Sequence, residues 1–136
     1  MKIAFDMMGG DFAPLEAAKG LLLYRNNGGA AHLLCIGDEA QVKPLLQEYH
    51  LLNDITTIIH APEVIGYHEP PTRALKEKTK SSIAIGFYML AGGKADAFAS
   101  AGNTGAMMVG TMYSIKTIQG ILRPSIPTII PKLTGG

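Results

Sequence analysis

The sequence holds 136 residues, one domain's worth, and its 47% hydrophobic and 17% charged composition excludes a disordered chain. Twelve Lys and Arg against 11 Asp and Glu leave a net charge of +1, which excludes the broad positive field that DNA, RNA or an anionic membrane would require. Any anion site must therefore be local, and the single cysteine, Cys35, excludes an intrachain disulfide.

In chain order, residues 2–6 read as a strand. Acidic Asp6 interrupts any signal-like apolar region, so the cytoplasm is the expected compartment. Residues 14–27 read as a helix, with Pro14 in its first turn and Gly28-Gly29 as its stop. Residues 31–37 form a second strand in which Cys35 is expected to be a buried core residue. Asp38 is placed to cap the next helix, where Val42, Leu45, Leu46 and Tyr49 recur at helical spacing and Pro44 is expected to kink or restart the helix.

Residues 55–61, rich in β-branched side chains, form a third strand. Residues 62–71 carry three prolines and a glycine and read as a loop, followed by a short helix at 72–78. Its basic run Arg73, Lys76, Lys78 and Lys80 reads as a solvated face. Ser81 or Ser82 caps a helix at 83–90 that Gly92-Gly93 ends. Its apolar run is under half of the ~20 residues a membrane span needs. A short strand at 97–100 and a helix at 104–118 follow, the latter with Met107, Met108, Thr111, Met112, Ile115 and Ile118 as a core stripe. Residues 127–132 resemble the start of a further strand and 133–136 a turn, a pattern expected of a chain cut inside a larger fold. The alternation of strands and helices predicts an α/β fold, three-layered, with a mostly parallel sheet.

In such sheets ligands bind beyond the carboxyl ends of the strands. Two loops there are unusual: Asp6-Met7-Met8-Gly9-Gly10-Asp11 and Ser100-Ala101-Gly102-Asn103-Thr104-Gly105. Glycines let backbone N–H groups face a ligand, and a helix start adds free donors and the positive end of its dipole. Phosphate or a developing oxyanion suits that environment. The plainer reading remains beside it: tight turns need glycine, Ser100 or Thr104 can serve as a cap, and Asp6 and Asp11 as capping or salt-bridging groups. There is no G-x-x-x-x-G-K-[ST], no G-x-G-x-x-G after a strand and no G-x-S-x-G elbow. His32, His50, His60 and His68 lack metal-ligand spacing.

Five pieces occur in order: Met8-Gly9-Gly10-Asp11; Glu63-Val64-Ile65-Gly66 with Glu69, Pro71 and Ala74; Lys80-Ser81-Ser82; Ser100-Ala101-Gly102-Asn103-Thr104-Gly105-Ala106; and Gly120-Ile121-Leu122-Arg123-Pro124. This series resembles the phosphate acyltransferases of bacterial phospholipid synthesis over essentially the whole chain. The resemblance implies a fold like that of phosphotransacetylases and the isocitrate dehydrogenase group, and a homodimer. It implies transfer of a fatty acyl group from acyl-carrier protein to inorganic phosphate, with no metal or organic cofactor and no nucleic acid. It also implies association with the inner face of the membrane or with a downstream glycerol-3-phosphate acyltransferase. Ser100 and Asn103 are the expected catalytic residues. Gly9, Gly10, Asp11, Gly102, Thr104 and Gly105 are expected to bind phosphate or the oxyanion. Residues 1–136 then form the N-terminal part of one larger catalytic domain, and alone are expected to be a poor enzyme. A related phosphate-handling transferase or dehydrogenase of the same fold, and an inactive fragment, are the alternative readings.

Overall fold

A computed structural model describes residues 1–121 and 125–128. Four described strands, β1 (Lys2–Asp6), β2 (His32–Gly37), β3 (Thr56–His60) and β4 (Ala97–Ala99), form one sheet in the order β3-β2-β1-β4. Every pairing in it is parallel. The central strand β2 is buried from Leu33 to Gly37, as expected where helices cover both faces of a sheet. Its alternation divides the core. Leu33 and Cys35, with Ile3, Phe5 and Ile58 of the neighbouring strands, face α1 (Leu15–Asn26) and α2 (Glu39–Glu48). Leu34 and Ile36, with Ala4, Ile59 and Phe98, face α4 (Ser82–Ala91). The result is the predicted three-layer α/β arrangement. Each fully buried aliphatic side chain in these layers contributes about 1.5–3 kcal/mol.

The helix ends follow local chemistry. Asp38 accepts a hydrogen bond from the Ala40 N–H at 3.2 Å and so caps α2. Pro44 neither stops nor restarts that helix, which runs on to Glu48. Pro44 and Ala40 both lie on the exposed face, where water can satisfy the Ala40 carbonyl that proline leaves unpaired. Ser81 caps α4 through the Ala84 N–H at 3.3 Å. The helix α3 (Pro71–Glu77) precedes it, and Ala74 packs with Ile65, Ile83, Phe87 and Ala106 in a third cluster.

The long helix predicted at 104–118 is shorter. Its α-helical part, α5 (Thr104–Gly110), passes into one π-helical turn at Thr111–Ile115, and Lys116 takes a positive φ of 70°. The expected methionine stripe is correspondingly not a core stripe. Thr111, Met112, Ile115 and Ile118 are exposed, and the buried line is Asn103, Ala106 and Gly110. Gly110 is the cause of the tight packing there: a Cβ at this position would collide with the Phe87 ring. Thr111 further disturbs the turn, since its hydroxyl donates to the Met107 carbonyl at 2.8 Å. Pro127 and Thr128, the first residues of the strand expected at 127–132, are not in a strand; the rest of it and the turn at 133–136 lie outside the described residues, as do Leu122, Arg123 and Pro124.

Candidate functional site

β1 and β4 are parallel neighbours, so their carboxyl ends deliver residues 7–11 and 100–105 to the same edge of the sheet. The joint between the two loops is Asp6, the last residue of β1, which is buried. Its Oδ1 accepts the Met8 N–H at 2.9 Å and its Oδ2 accepts the Ser100 hydroxyl at 2.7 Å. Ser100 Oγ in turn accepts the Gly102 N–H at 3.0 Å. Gly9 lies against this joint so closely that a Cβ would stand 2.6 Å from the Gly102 nitrogen and 2.7 Å from Asp6 Oδ2. Glycine is required there by contact with the opposite loop. Gly10 is required by its own backbone, with φ +112°.

A third segment, residues 63–69, closes the edge. Asn103 accepts the Ala106 N–H at 2.9 Å through Oδ1, capping α5, and donates from Nδ2 to the Gly66 carbonyl at 2.9 Å. The Tyr67 hydroxyl donates to the Ala101 carbonyl at 3.2 Å. Glu69 shapes the segment from inside: Oε1 accepts the Gly66 N–H at 2.6 Å and the Lys78 ammonium at 2.6 Å. Lys78 also donates to the Val64 carbonyl at 2.7 Å. The hydrogen bond from Lys78, and then that from Gly66, hold the Glu69 carboxyl below its usual acidity of 4.5. Glu63 fixes the other end, accepting the Lys80 N–H at 2.9 Å, while its carbonyl accepts the Ser82 N–H at 3.3 Å. Pro71 completes the closure: a Cβ on Gly105 would lie 2.5 Å from its ring.

These contacts enclose a small cleft of about 110 Å³ lined by Asp6, Gly9, Gly10, Gly66, Ser82 and Gly102, among others. A shallower cleft of about 260 Å³ lies on the other side of the loop, lined by Ser100, Gly102, Thr104, Met107, Met108 and Thr111. Of the expected site residues, Gly9, Gly10, Ser100, Gly102, Asn103 and Gly105 are thus drawn together. Thr104 is exposed on the shallower side, and Asp11 points to the exterior rather than lining either cleft. Both polar atoms of Asn103 are engaged within the protein, as a cap and a tether.

Sequence reasoning read Asp6 within the first loop as a capping or salt-bridging group, named Glu69 only among the residues of the resemblance, and missed Tyr67 and Lys78 as site builders. Lys78, read as part of a solvated face, is half-buried and ion-paired, because its stem reaches back over the loop to Val64 and Glu69. The available signal for Asp6 was an acidic residue closing an otherwise apolar strand. Cys35 stays in the core, where burial pushes its thiol up to about 12. Among the described residues no three His, Cys, Asp or Glu side chains are grouped to hold a metal ion. None of the described helices is long and apolar enough to cross a membrane.

Four of the five pieces that run in order along the sequence meet at this edge: 8–11, 63–74, 80–82 and 100–106. Curated relatives match the chain over nearly its whole length. The phosphate acyltransferase of Dictyoglomus turgidum is 46% identical over 134 residues, 98% of this chain and 40% of the relative. That of Thermoanaerobacterium thermosaccharolyticum is 42% identical over 135 residues, 99% of this chain and 39% of the relative. That of Levilactobacillus brevis is 43% identical over 133 residues, 98% of this chain and 37% of the relative. The chain therefore spans about 40% of the length of these curated relatives. The family model described as "fatty acid synthesis protein" matches residues 1–136, and the chain belongs to that family.

Proposed function

We propose that the protein is a phosphate acyltransferase that moves a fatty acyl group from acyl-carrier protein to inorganic phosphate, giving acyl phosphate for phospholipid synthesis. The observation that carries this reading is the interlocking of two glycine loops at one carboxyl edge of the sheet, across Asp6, Ser100 and Gly9. It is supported by the names of the relatives, each a phosphate acyltransferase.

The chemistry needs no enzyme nucleophile. A phosphate oxygen attacks the thioester carbonyl, the carbon–oxygen bond forms, the carbon–sulfur bond breaks, and the carrier leaves as its thiol after taking up a proton. The protein's task is to hold phosphate against the carbonyl and to stabilise the oxyanion. Glycine backbone N–H groups suit both tasks because no Cβ blocks the approach. In this reading Gly9 and Gly10 supply the cradle, Gly102 lines it with its N–H held by Ser100, and Gly105 lets the loop close on Pro71. Ser100 and Asn103 hold its shape, and Asp11 and Thr104 stand at its rim.

Residues 1–136 serve as the N-terminal part of one larger catalytic domain, in a cytoplasmic homodimer that meets acyl-carrier protein and works at the inner face of the membrane. The native full-length protein, incubated with acyl-carrier-protein thioester and phosphate, should yield acyl phosphate that hydroxylamine traps as hydroxamate, in amounts that rise and saturate with phosphate. Thioester cleavage indifferent to phosphate, or turnover of acetyl-coenzyme A or NAD(P) in its place, would overturn the reading.

A further inference from the structure

We infer that Asp6 is a specificity-determining residue of the small cleft, accepting a hydrogen bond from a protonated oxygen of the bound anion and so selecting hydrogen phosphate over sulfate. This rests on the phosphate acyltransferase reading and deepens it.

Asp6 is 2% exposed, yet it lines the cleft of about 110 Å³ together with Gly9, Gly10, Gly66, Ser82 and Gly102. The Gly9 and Gly102 backbones pack closely on the Oδ2 side, where Cβ atoms would stand 2.7 Å and 3.3 Å from that oxygen. Two donors are already fixed, the Met8 N–H on Oδ1 and the Ser100 hydroxyl on Oδ2. A carboxylate has about four acceptor positions, so capacity remains. The same two bonds lock its rotation, so the remaining lone pairs have a set direction.

An acceptor-only group beside a bound anion is repulsive unless the anion brings a proton to the contact. Hydrogen phosphate carries one near neutral pH, and sulfate carries none. A site built to pair with a donor rejects the analogue that lacks it, because the acceptor is then left facing like charge. The cleft therefore discriminates by protonation between two tetrahedral oxyanions of nearly equal size. This is a role distinct from holding the loops, which any group accepting from Met8 and Ser100 would perform.

The test uses the native full-length protein and competition against phosphate in acyl phosphate formation. Hydrogen arsenate, which carries a proton, should compete. Sulfate should bind about 10–100-fold more weakly than arsenate, the range of a lost hydrogen bond to a charged group. Asp6→Asn, which offers an amide donor in the same volume, should bring that ratio towards one. Sulfate inhibiting the parent protein as well as arsenate does would overturn the inference without any variant, so a failure of Asp6→Asn to fold leaves it exposed to refutation. An unchanged ratio in a folded Asp6→Asn would overturn it as well. A parent protein that makes no acyl phosphate at all would instead overturn the functional reading beneath it, and the two failures are thereby distinguished.

Discussion

Asn103 has two atoms and two jobs, and they belong to different parts of the site. Oδ1 caps α5 through Ala106, and Nδ2 reaches across 37 residues of sequence to the carbonyl of Gly66. The side chain is buried, so neither lost partner would be replaced by water. Loss of a cap costs about 1 kcal/mol, and an orphaned buried group about 1–3 kcal/mol. Asn103→Ala should therefore lower stability by about 2–3 kcal/mol in urea unfolding and should also release residues 63–69 from the loop at 100–105. Stability and phosphate use should therefore fall together. Asn103→Asp restores only the acceptor and places a second acceptor against the Gly66 carbonyl, so it should not recover the tether. A parent-like melting curve for Asn103→Ala would show that the tether contributes nothing.

At the scale of elements, the strands and their order of appearance were legible because short continuous apolar runs, as in strands buried on both faces, alternate with helical stripes. Caps at Asp38 and Ser81 were legible because their chemistry is local. The segment at 63–69 was not. Its shape depends on Glu69, Lys78 and Asn103 bonding to backbone groups far along the chain, and backbone partners leave no mark in a sequence. The helix at 104–118 misled for the opposite reason. Its methionines keep helical spacing, but Gly110 against Phe87 and the π turn after it leave the second half exposed.

The Glu69–Lys78 pair gives this segment a pH dependence whose sign follows from its direction. Glu69 is held below its usual 4.5, so the stability it adds is present above that value and fades as pH falls through its lower folded value. Both side chains are about one-third exposed, 33% and 34%, so solvent screens the pair and the effect is modest. Lys78→Met should reduce the loss of melting temperature on acidification below pH 4.5 relative to the parent, while lowering stability at neutral pH. An acid limb identical in parent and variant would assign the acid sensitivity elsewhere.

Over the whole molecule, a parallel sheet with β1 and β4 adjacent is what makes a site possible, since strands 90 residues apart in sequence end side by side. β4 forms one margin of the described sheet, and an apolar groove of about 700 Å³ lined by Leu75, Ile85, Phe87, Tyr88, Val109 and Tyr113 lies open between α3, α4 and the π turn. The central claim is that phosphate acts where the two glycine loops meet. Its most direct test is the phosphate dependence of acyl phosphate formation by the native full-length protein and by Gly9→Val, with circular dichroism melting to confirm that the variant is folded. A valine at Gly9 would occupy the space between the Gly102 nitrogen and Asp6 Oδ2. A folded Gly9→Val should lose at least about 100-fold in kcat/KM for phosphate, equivalent to roughly 2.7 kcal/mol of transition-state stabilisation. A folded variant that saturates with phosphate at the parent's KM and kcat would contradict the account and place the site elsewhere.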